Sequence, residues 1–152
     1  RYVEPQGGTP AFGRLRRQLA EIEYAAVETN FTLGLSDLMG RLNRRSLVIL
    51  MTEFVDTVTA ELMVENVARL AQRHLVLFVT LKDPQIEAMV DRGPHAFRDV
   101  AESVAAEEMR RDRLVVLERL RRLGILCIEA SHERFGAALL NRYIEIKQRG
   151  LI

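Results

Sequence analysis

Three short apolar runs are separated along the chain by longer segments in which apolar residues recur at helical spacing. The runs are Leu47–Met51, Leu75–Leu81 and Ile125–Ile128, and none of them alternates regularly with polar residues. Such runs are typical of strands that are buried on both faces, as in a parallel sheet covered by helices. The sequence therefore predicts three buried parallel strands.

The segments around these runs predict helices. Gly93–Pro94 separates two helices that lie between the second and third strands, and the final helix is expected to bury a stripe made by Phe135, Leu139, Leu140, Tyr143 and Ile144. The six predicted helices are Pro10–Val27, Thr32–Leu42, Thr59–Gln72, Pro84–Val90, His95–Leu123 and Glu133–Arg149. Alternating strands and helices favour an α/β fold, a three-layer αβα sandwich whose consecutive strands are neighbours.

Length and charge narrow the function classes. A chain of 152 residues forms one domain that buries about two thirds of its extended surface. Its formal net charge of +1 gives no global field that would attract nucleic acid or an anionic membrane. Arginines cluster at positions 14–17, 41–45 and 110–113, each time near acidic residues in a helical segment. These clusters predict solvated helix faces, and nucleic-acid binding is the weaker interpretation.

The single cysteine and the ends of the chain bear on location. Cys127 lies in an apolar run, which predicts an inert thiol in a reducing compartment, and we expect a cytoplasmic location. No apolar stretch approaches the length of about 18 residues that indicates a membrane span. The start, RYVEPQGG, has neither an initiator Met nor an apolar signal segment. We therefore expect a piece of a longer protein without a membrane contact of its own.

Polar side chains follow each predicted strand. Glu53 and Asp56 come after the first strand, Asp83 after the second, and Glu129 and Ser131 after the third. In an open parallel sheet, ligands bind outside the carboxyl ends of the strands, so these residues form the predicted binding edge. Asp83 and Ser131 also suit N-cap positions of the helices that follow them.

Several blocks of sequence resemble known families. GGTPAFGRLRRQL (residues 7–19) followed by LVILMTEF (residues 47–54) resembles the second half of a von Willebrand factor A domain. More specifically, RRSLVILMTEFVD, QRHLVLFVTLKDP and LLNRYIEIKQRGLI, in that order, are similar to the bacterial family called domain of unknown function fifty-eight. The resemblance implies that residues 1–152 are a single partial domain of a von Willebrand factor A-like, Rossmann-like type that lacks its N-terminal strands.

The same resemblance implies a metal-ion-dependent adhesion site. Thr9 matches the threonine of the family's Gly-Gly-Thr loop, and Glu53 matches the aspartate that ends its fourth strand. Hydroxyl and carboxylate oxygens suit Mg²⁺. The family's Asp-x-Ser-x-Ser motif is absent from this chain, so Mg²⁺ is expected in a longer form of the protein and not in these residues alone. Gly7–Thr9 also fits a turn in which Thr9 caps a helix and Pro10 is the first helical residue.

The function that the resemblance implies is non-enzymatic. It is an adaptor role in protein binding, with a MoxR-type AAA+ ATPase as the partner. The alternative is a Mg²⁺-dependent phosphoryl or phosphodiester enzyme that uses Glu53, Asp83 and Glu129. Because the strand Leu47–Met51 would lack its neighbour, its edge is expected to be unpaired. We therefore predict a homodimer that forms through this edge.

Overall fold

The computed structural model describes residues 3–4, 7–23, 29–52, 57–92 and 97–152, apart from the side chains of residues 9, 57–59, 92 and 97–99. Within these ranges the chain forms three strands and six helices. Their order is α1 (Thr9–Ala20), α2 (Phe31–Arg41), β1 (Leu47–Met51), α3 (Thr57–Ala71), β2 (Leu75–Leu81), α4 (Pro84–Arg92), α5 (Phe97–Arg122), β3 (Leu126–Ala130) and α6 (His132–Gln148). The predicted α/β fold class is confirmed, and β1 and β2 have the predicted bounds.

The sheet is parallel, and its strand order follows the order along the chain, β1-β2-β3. Leu47 of β1 lies opposite Leu75 of β2, and Leu77 of β2 lies opposite Leu126 of β3. The central strand β2 is buried on both faces, as expected for an apolar strand that is covered by two helical layers. The carboxyl ends of all three strands therefore meet at one edge of the sheet.

Helices α3 and α5 cover one face of the sheet, and α2 lies beside α3. There α3 packs against α2, α5 and β2, and α5 also packs against β3. The largest fully buried side chains in this part of the core include Phe78, Met63, Leu70, Leu117 and Leu120. This face holds most of the apolar core.

Helix α6 covers the other face, and it lies against β2 and β3 but not against β1 within the described ranges. Ile146 of α6 and Leu77 and Val79 of β2 form the centre of this second core cluster. Ile49 and Met51 of β1, by contrast, are 36% and 57% exposed. The α6 layer therefore leaves Ile49 and Met51 uncovered, whereas Leu47 at the start of β1 packs against the second cluster.

The third strand begins one residue later than predicted because Ile125 belongs to the end of α5. Gly124 has φ of +79°, a conformation that favours glycine. Its N–H donates to the carbonyl of Arg121, and the N–H of Ile125 donates to the carbonyl of Leu120. This is the hydrogen-bond pattern of a Schellman C-cap, so the strand extends over Leu126–Ala130.

Helix α1 is shorter than predicted, and its cap differs. It ends at Ala20, and the residue at its N-cap is Gly8, whose φ is +84°. Thr9 is therefore the first helical residue, and its predicted role as N-cap is wrong. Among the described residues, α1 packs against no other helix or strand, and Phe12 and Leu19 on it are 69% and 57% exposed.

The predicted buried stripe of the last helix is only partly correct. Phe135 and Leu139 pack against the second cluster, whereas Leu140, Tyr143 and Ile144 are exposed. The stripe instead continues to Ile146, which is buried. None of the described helices combines the length and apolar character that crossing a membrane requires.

Candidate functional site

The carboxyl end of the sheet brings together some of the predicted site residues. Glu129 lies within β3 and stands opposite Thr80 of β2. Asp83 follows β2, where the N–H of Lys82 donates to the carbonyl of Ala130 and links the ends of β2 and β3. Asp83 and Glu129 also line the same small pocket. The structure therefore places these two carboxylates at one end of the sheet, as the sequence predicts.

Asp83 serves as the cap of α4. Its Oδ1 accepts the backbone N–H of Gln85 at 2.8 Å and that of Ile86 at 3.4 Å. A side chain that accepts these first N–H groups satisfies donors that have no partner within the helix. The predicted capping role is confirmed, and it occupies one oxygen of this carboxylate.

Glu129 faces a cation from α5. Its Oε1 lies 4.0 Å from the guanidinium of Arg113, and the two side chains are only 19% and 16% exposed. Arg113 also donates through a terminal nitrogen to the carbonyl of Leu81 at 2.7 Å. One arginine therefore joins α5 to the end of the central strand and to the carboxylate of the next strand.

The pocket at this end, which we call the carboxyl-end pocket, has a volume of about 80 Å³. Cationic and anionic side chains line it in equal number: Lys82, Arg110 and Arg113 with Asp83, Glu87 and Glu129. Lys82 lies 3.4 Å from Glu87, and Arg110 donates to Glu107 on its own helix. The charges that line the pocket are thus largely engaged with one another.

The other predicted site residues make no described side-chain contact at the carboxyl end of the sheet. Ser131 occupies the N-cap position of α6, but its side chain makes no capping hydrogen bond. Glu53 and Asp56 lie outside the described residues, as does the side chain of Thr9. Their predicted roles as metal ligands and edge residues stay predictions.

A larger cleft lies between α2 and β1, and sequence reasoning missed it. We call it the α2–β1 cleft; it has a volume of about 510 Å³. The lining residues include Thr29, Phe31, Leu35, Leu38, Leu50, Met51 and Thr52. Thr29 precedes the N-cap Asn30, whose side chain accepts the N–H of Leu33. The cleft therefore brings a threonine at the start of α2 to the carboxyl end of β1, immediately before Glu53.

A sequence signal for Thr29 existed in the cap of α2. Asn30 is a favourable N-cap residue ahead of a helical pattern. A helix that runs antiparallel to the strand after it begins near the carboxyl end of that strand. Thr52 directly follows β1 in the sequence. Only the packing of α2 beside β1 shows that Thr29 and Thr52 line one cleft.

One electrostatic shift lies at this cleft: Arg41 donates a hydrogen bond to Asp37 and lowers the pKa of that carboxyl, and both side chains line the cleft. Burial raises the pKa of the Cys127 thiol, which agrees with the predicted inert cysteine. The guanidinium of Arg142, which donates to Glu145 at 2.6 Å, lowers the pKa of that carboxyl. Within the described ranges, no group of three or more His, Cys, Asp or Glu side chains is arranged to hold a metal ion.

Comparison with known proteins identifies a family. The family model described as "Protein of unknown function DUF58" matches residues 1–120. Two of the three blocks that carry the predicted resemblance lie within this match, and the closing block lies beyond it. No curated protein and no solved structure matches the chain significantly.

Proposed function

Since this chain belongs to the DUF58 family of proteins of unknown function, we propose that it is a non-enzymatic domain that binds other proteins. In this proposal it is a von Willebrand factor A-like module that acts as an adaptor. Its binding surface is the α2–β1 cleft together with the neighbouring carboxyl end of the sheet.

The observation that carries the proposal is the α2–β1 cleft at the edge of the sheet. Its walls are mainly apolar, and Phe31, Leu35, Leu38 and Leu50 are among the residues that line it. Exposed apolar surface beside a strand edge is typical of protein interaction sites. The volume of about 510 Å³ is also large enough to hold several side chains of a partner.

The proposal extends to metal assistance through Thr9 and Glu53. Mg²⁺ takes oxygen ligands such as hydroxyls and carboxylates, and Thr29, which lines the cleft with Thr52, is an additional candidate. The described residues offer no cluster of three His, Cys, Asp or Glu side chains. No step of binding is assigned to the ion.

The proposed partner is a MoxR-type AAA+ ATPase, as the family resemblance implies. The test is biolayer interferometry between the purified chain and a purified ATPase of this class from the same genome, with and without Mg²⁺. Leu38→Lys is expected to weaken binding because it places a charge in the lining of the cleft. Leu62→Lys is the matched control, since Leu62 is 61% exposed on α3 and does not line the cleft. Binding that is equally weakened by both variants, or by neither, would contradict the proposal.

The enzyme alternative has less support in the described residues. Asp83 accepts the N–H groups of α4, and Glu129 lies beside Arg113, so neither carboxylate is set aside for a metal ion. A phosphodiesterase assay with Mg²⁺ tests this alternative directly. Turnover that is lost in Glu129→Gln but retained in Glu133→Gln would favour the enzyme over the adaptor.

A further inference from the structure

Helix α5 carries opposite net charge on its two halves. Residues 97–109 contain four acidic residues and one arginine, whereas residues 110–122 contain six arginines and two acidic residues. The helix dipole favours acidic residues at the start of a helix and basic residues at its end, but this effect is confined to the first and last turns. The sign changes here in the middle of the helix, between Glu108 and Arg110. The dipole therefore does not account for the pattern.

One exposed stripe at the centre of α5 has the same pattern in both directions along the helix. This stripe, which we call the α5 stripe, consists of Val104, Glu108, Arg111 and Val115. The intervals of four, three and four residues place all of them on one face of the helix. All four side chains are exposed, and the two valines are 60% and 55% exposed. Read backwards, the intervals are the same, valine replaces valine, and arginine exchanges places with glutamate.

The α5 stripe points away from the core. The buried side chains of the same helix are Ala106, Val116, Leu117 and Leu120. Since successive residues of a helix are rotated by about 100°, these buried residues lie on the side of α5 opposite the stripe. Among the described residues, neither Glu108 nor Arg111 forms an ion pair. Both charges are therefore available to a second molecule.

We propose that α5 pairs antiparallel with α5 of a second copy of this chain, about a two-fold axis level with the bond between residues 109 and 110. Such an interface is isologous, so each residue contacts the residue that mirrors it across the axis. Val104 then contacts Val115 of the second copy, and Glu108 contacts Arg111 of the second copy. By symmetry each of these pairs forms twice. The inference goes beyond the proposed adaptor function and does not depend on it.

A second copy fits the α5 stripe because the stripe is complementary to itself. A protein of another sequence would need a matching set of two apolar and two charged side chains, whereas an antiparallel copy supplies that set. The N-terminal strands that the family resemblance predicts would continue the sheet beyond β1, and α5 lies against β3 at the other side of the sheet. The surface is therefore distinct from the strand edge through which the sequence predicts a homodimer.

The size of the contact predicts a weak, reversible dimer. A helix of 26 residues is about 39 Å long, and a contact strip about 10 Å wide along it covers about 400 Å² of each copy. The total of about 800 Å² lies at the low end, where complexes are transient. Ala101 and Ala105 are exposed beside the stripe, and such small side chains let two helix axes approach to about 8 Å. We expect a Kd of about 10–100 µM.

Sedimentation velocity over a range of concentrations around this Kd measures the association, and charge reversals identify the surface. Glu108→Arg gives each copy two arginines at the centre of the stripe, and Arg111→Glu gives each copy two glutamates. Since like charges then face each other, each variant should dimerise at least tenfold more weakly than the parent. An equimolar mixture of the two variants places opposite charges across the interface again, and it should associate as tightly as the parent.

The mixture separates contacts between copies from effects within one helix. Glu108 and Arg111 are three residues apart, so either reversal also changes an interaction inside its own helix. No such internal change is repaired by mixing two proteins. Glu133→Arg is the matched control, because Glu133 is exposed on α6, on the other face of the sheet, and this variant should dimerise like the parent. The far-ultraviolet circular dichroism of all variants should equal that of the parent.

Three results would overturn the inference. The first is a chain that stays monomeric at millimolar concentration. The second is a dimer that neither reversal weakens, since its contact would then lie elsewhere, for example at the edge of β1. The third is a mixture that associates as weakly as the single variants. The adaptor function is judged separately, because it is tested at the α2–β1 cleft by Leu38→Lys, and that variant should leave the α5 dimer intact.

Discussion

Arg113→Met is expected to destabilise the fold through the contact between α5 and the end of the sheet. The guanidinium of Arg113 donates to the carbonyl of Leu81 at 2.7 Å and lies 4.0 Å from the carboxylate of Glu129. Methionine keeps part of the apolar stem of arginine but removes the charge and all donors. The variant therefore isolates the polar contribution of Arg113.

The size of the destabilisation expected for Arg113→Met follows mainly from the loss of the hydrogen bond to the carbonyl of Leu81. A hydrogen bond that involves a charged group contributes about 1.5–3 kcal/mol, and this one lies in a region where Arg113 is only 16% exposed. The ion pair with Glu129 is long at 4.0 Å and adds a smaller amount. We expect a loss of about 2 kcal/mol in the free energy of unfolding, which corresponds to a decrease in Tm of about 4–8 °C for a chain of this size.

The assay is equilibrium unfolding in urea, followed by circular dichroism. Arg110→Met is the matched control, because Arg110 lies one turn away, is 43% exposed and pairs only with Glu107 of its own helix among the contacts described for it. That control is expected to cost no more than about 0.5 kcal/mol. Glu129→Gln in the Arg113→Met background should recover part of the loss, since it removes the carboxylate that is left without its cation. Equal midpoints for Arg113→Met and Arg110→Met would refute the reasoning.

Three further predictions concern single side chains. Asp83→Ala should lower the free energy of unfolding by about 1 kcal/mol, whereas Ser131→Ala should change it little, because the Ser131 side chain makes no capping bond; urea unfolding compares the two. In an NMR titration, Glu145 should have a pKa below its ordinary value, and Arg142→Gln should return this pKa toward the ordinary value. The stability that the ionised Glu145 carboxylate contributes is therefore complete above the ordinary pKa of the group, and it is lost as the pH falls through the lowered pKa. Cys127, whose pKa is raised by burial, should react with a disulfide reagent at pH 8 far more slowly in the folded protein than in urea.

The strands were predictable because their apolar runs have few other interpretations. Five and seven consecutive apolar or nearly apolar residues in β1 and β2 are too short for a buried helix and too apolar for a loop. The start of β3 was misplaced, since Ile125 is apolar for a different reason. It is buried as part of the helix cap around Gly124, and periodicity cannot separate a cap residue from the first residue of a strand.

The candidate site was less predictable because its contacts join distant positions. Topology alone places Asp83 and Glu129 at one end of a parallel sheet, and the sequence was sufficient for that. The hydrogen bond from Arg113 to Leu81 spans 32 positions and depends on where α5 crosses the sheet. The α2–β1 cleft depends likewise on the packing of α2 against α3, which no local pattern specifies.

Two independent features, one on each face of the sheet, leave apolar surface uncovered at the outer edge of β1. On one face, α2 lies beyond the last strand and keeps Leu35 buried above a cleft that has no strand beneath it in the described ranges. On the opposite face, α6 lies against β2 and β3, and Ile49 and Met51 are exposed while Leu77 and Val79, their counterparts on β2, are at most 1% exposed. A parallel sheet is stable when both of its faces are covered, and each face here lacks its cover at β1. A segment that pairs with this strand would therefore extend the sheet into a space that the helices on one face already enclose and shield Met51 on the other.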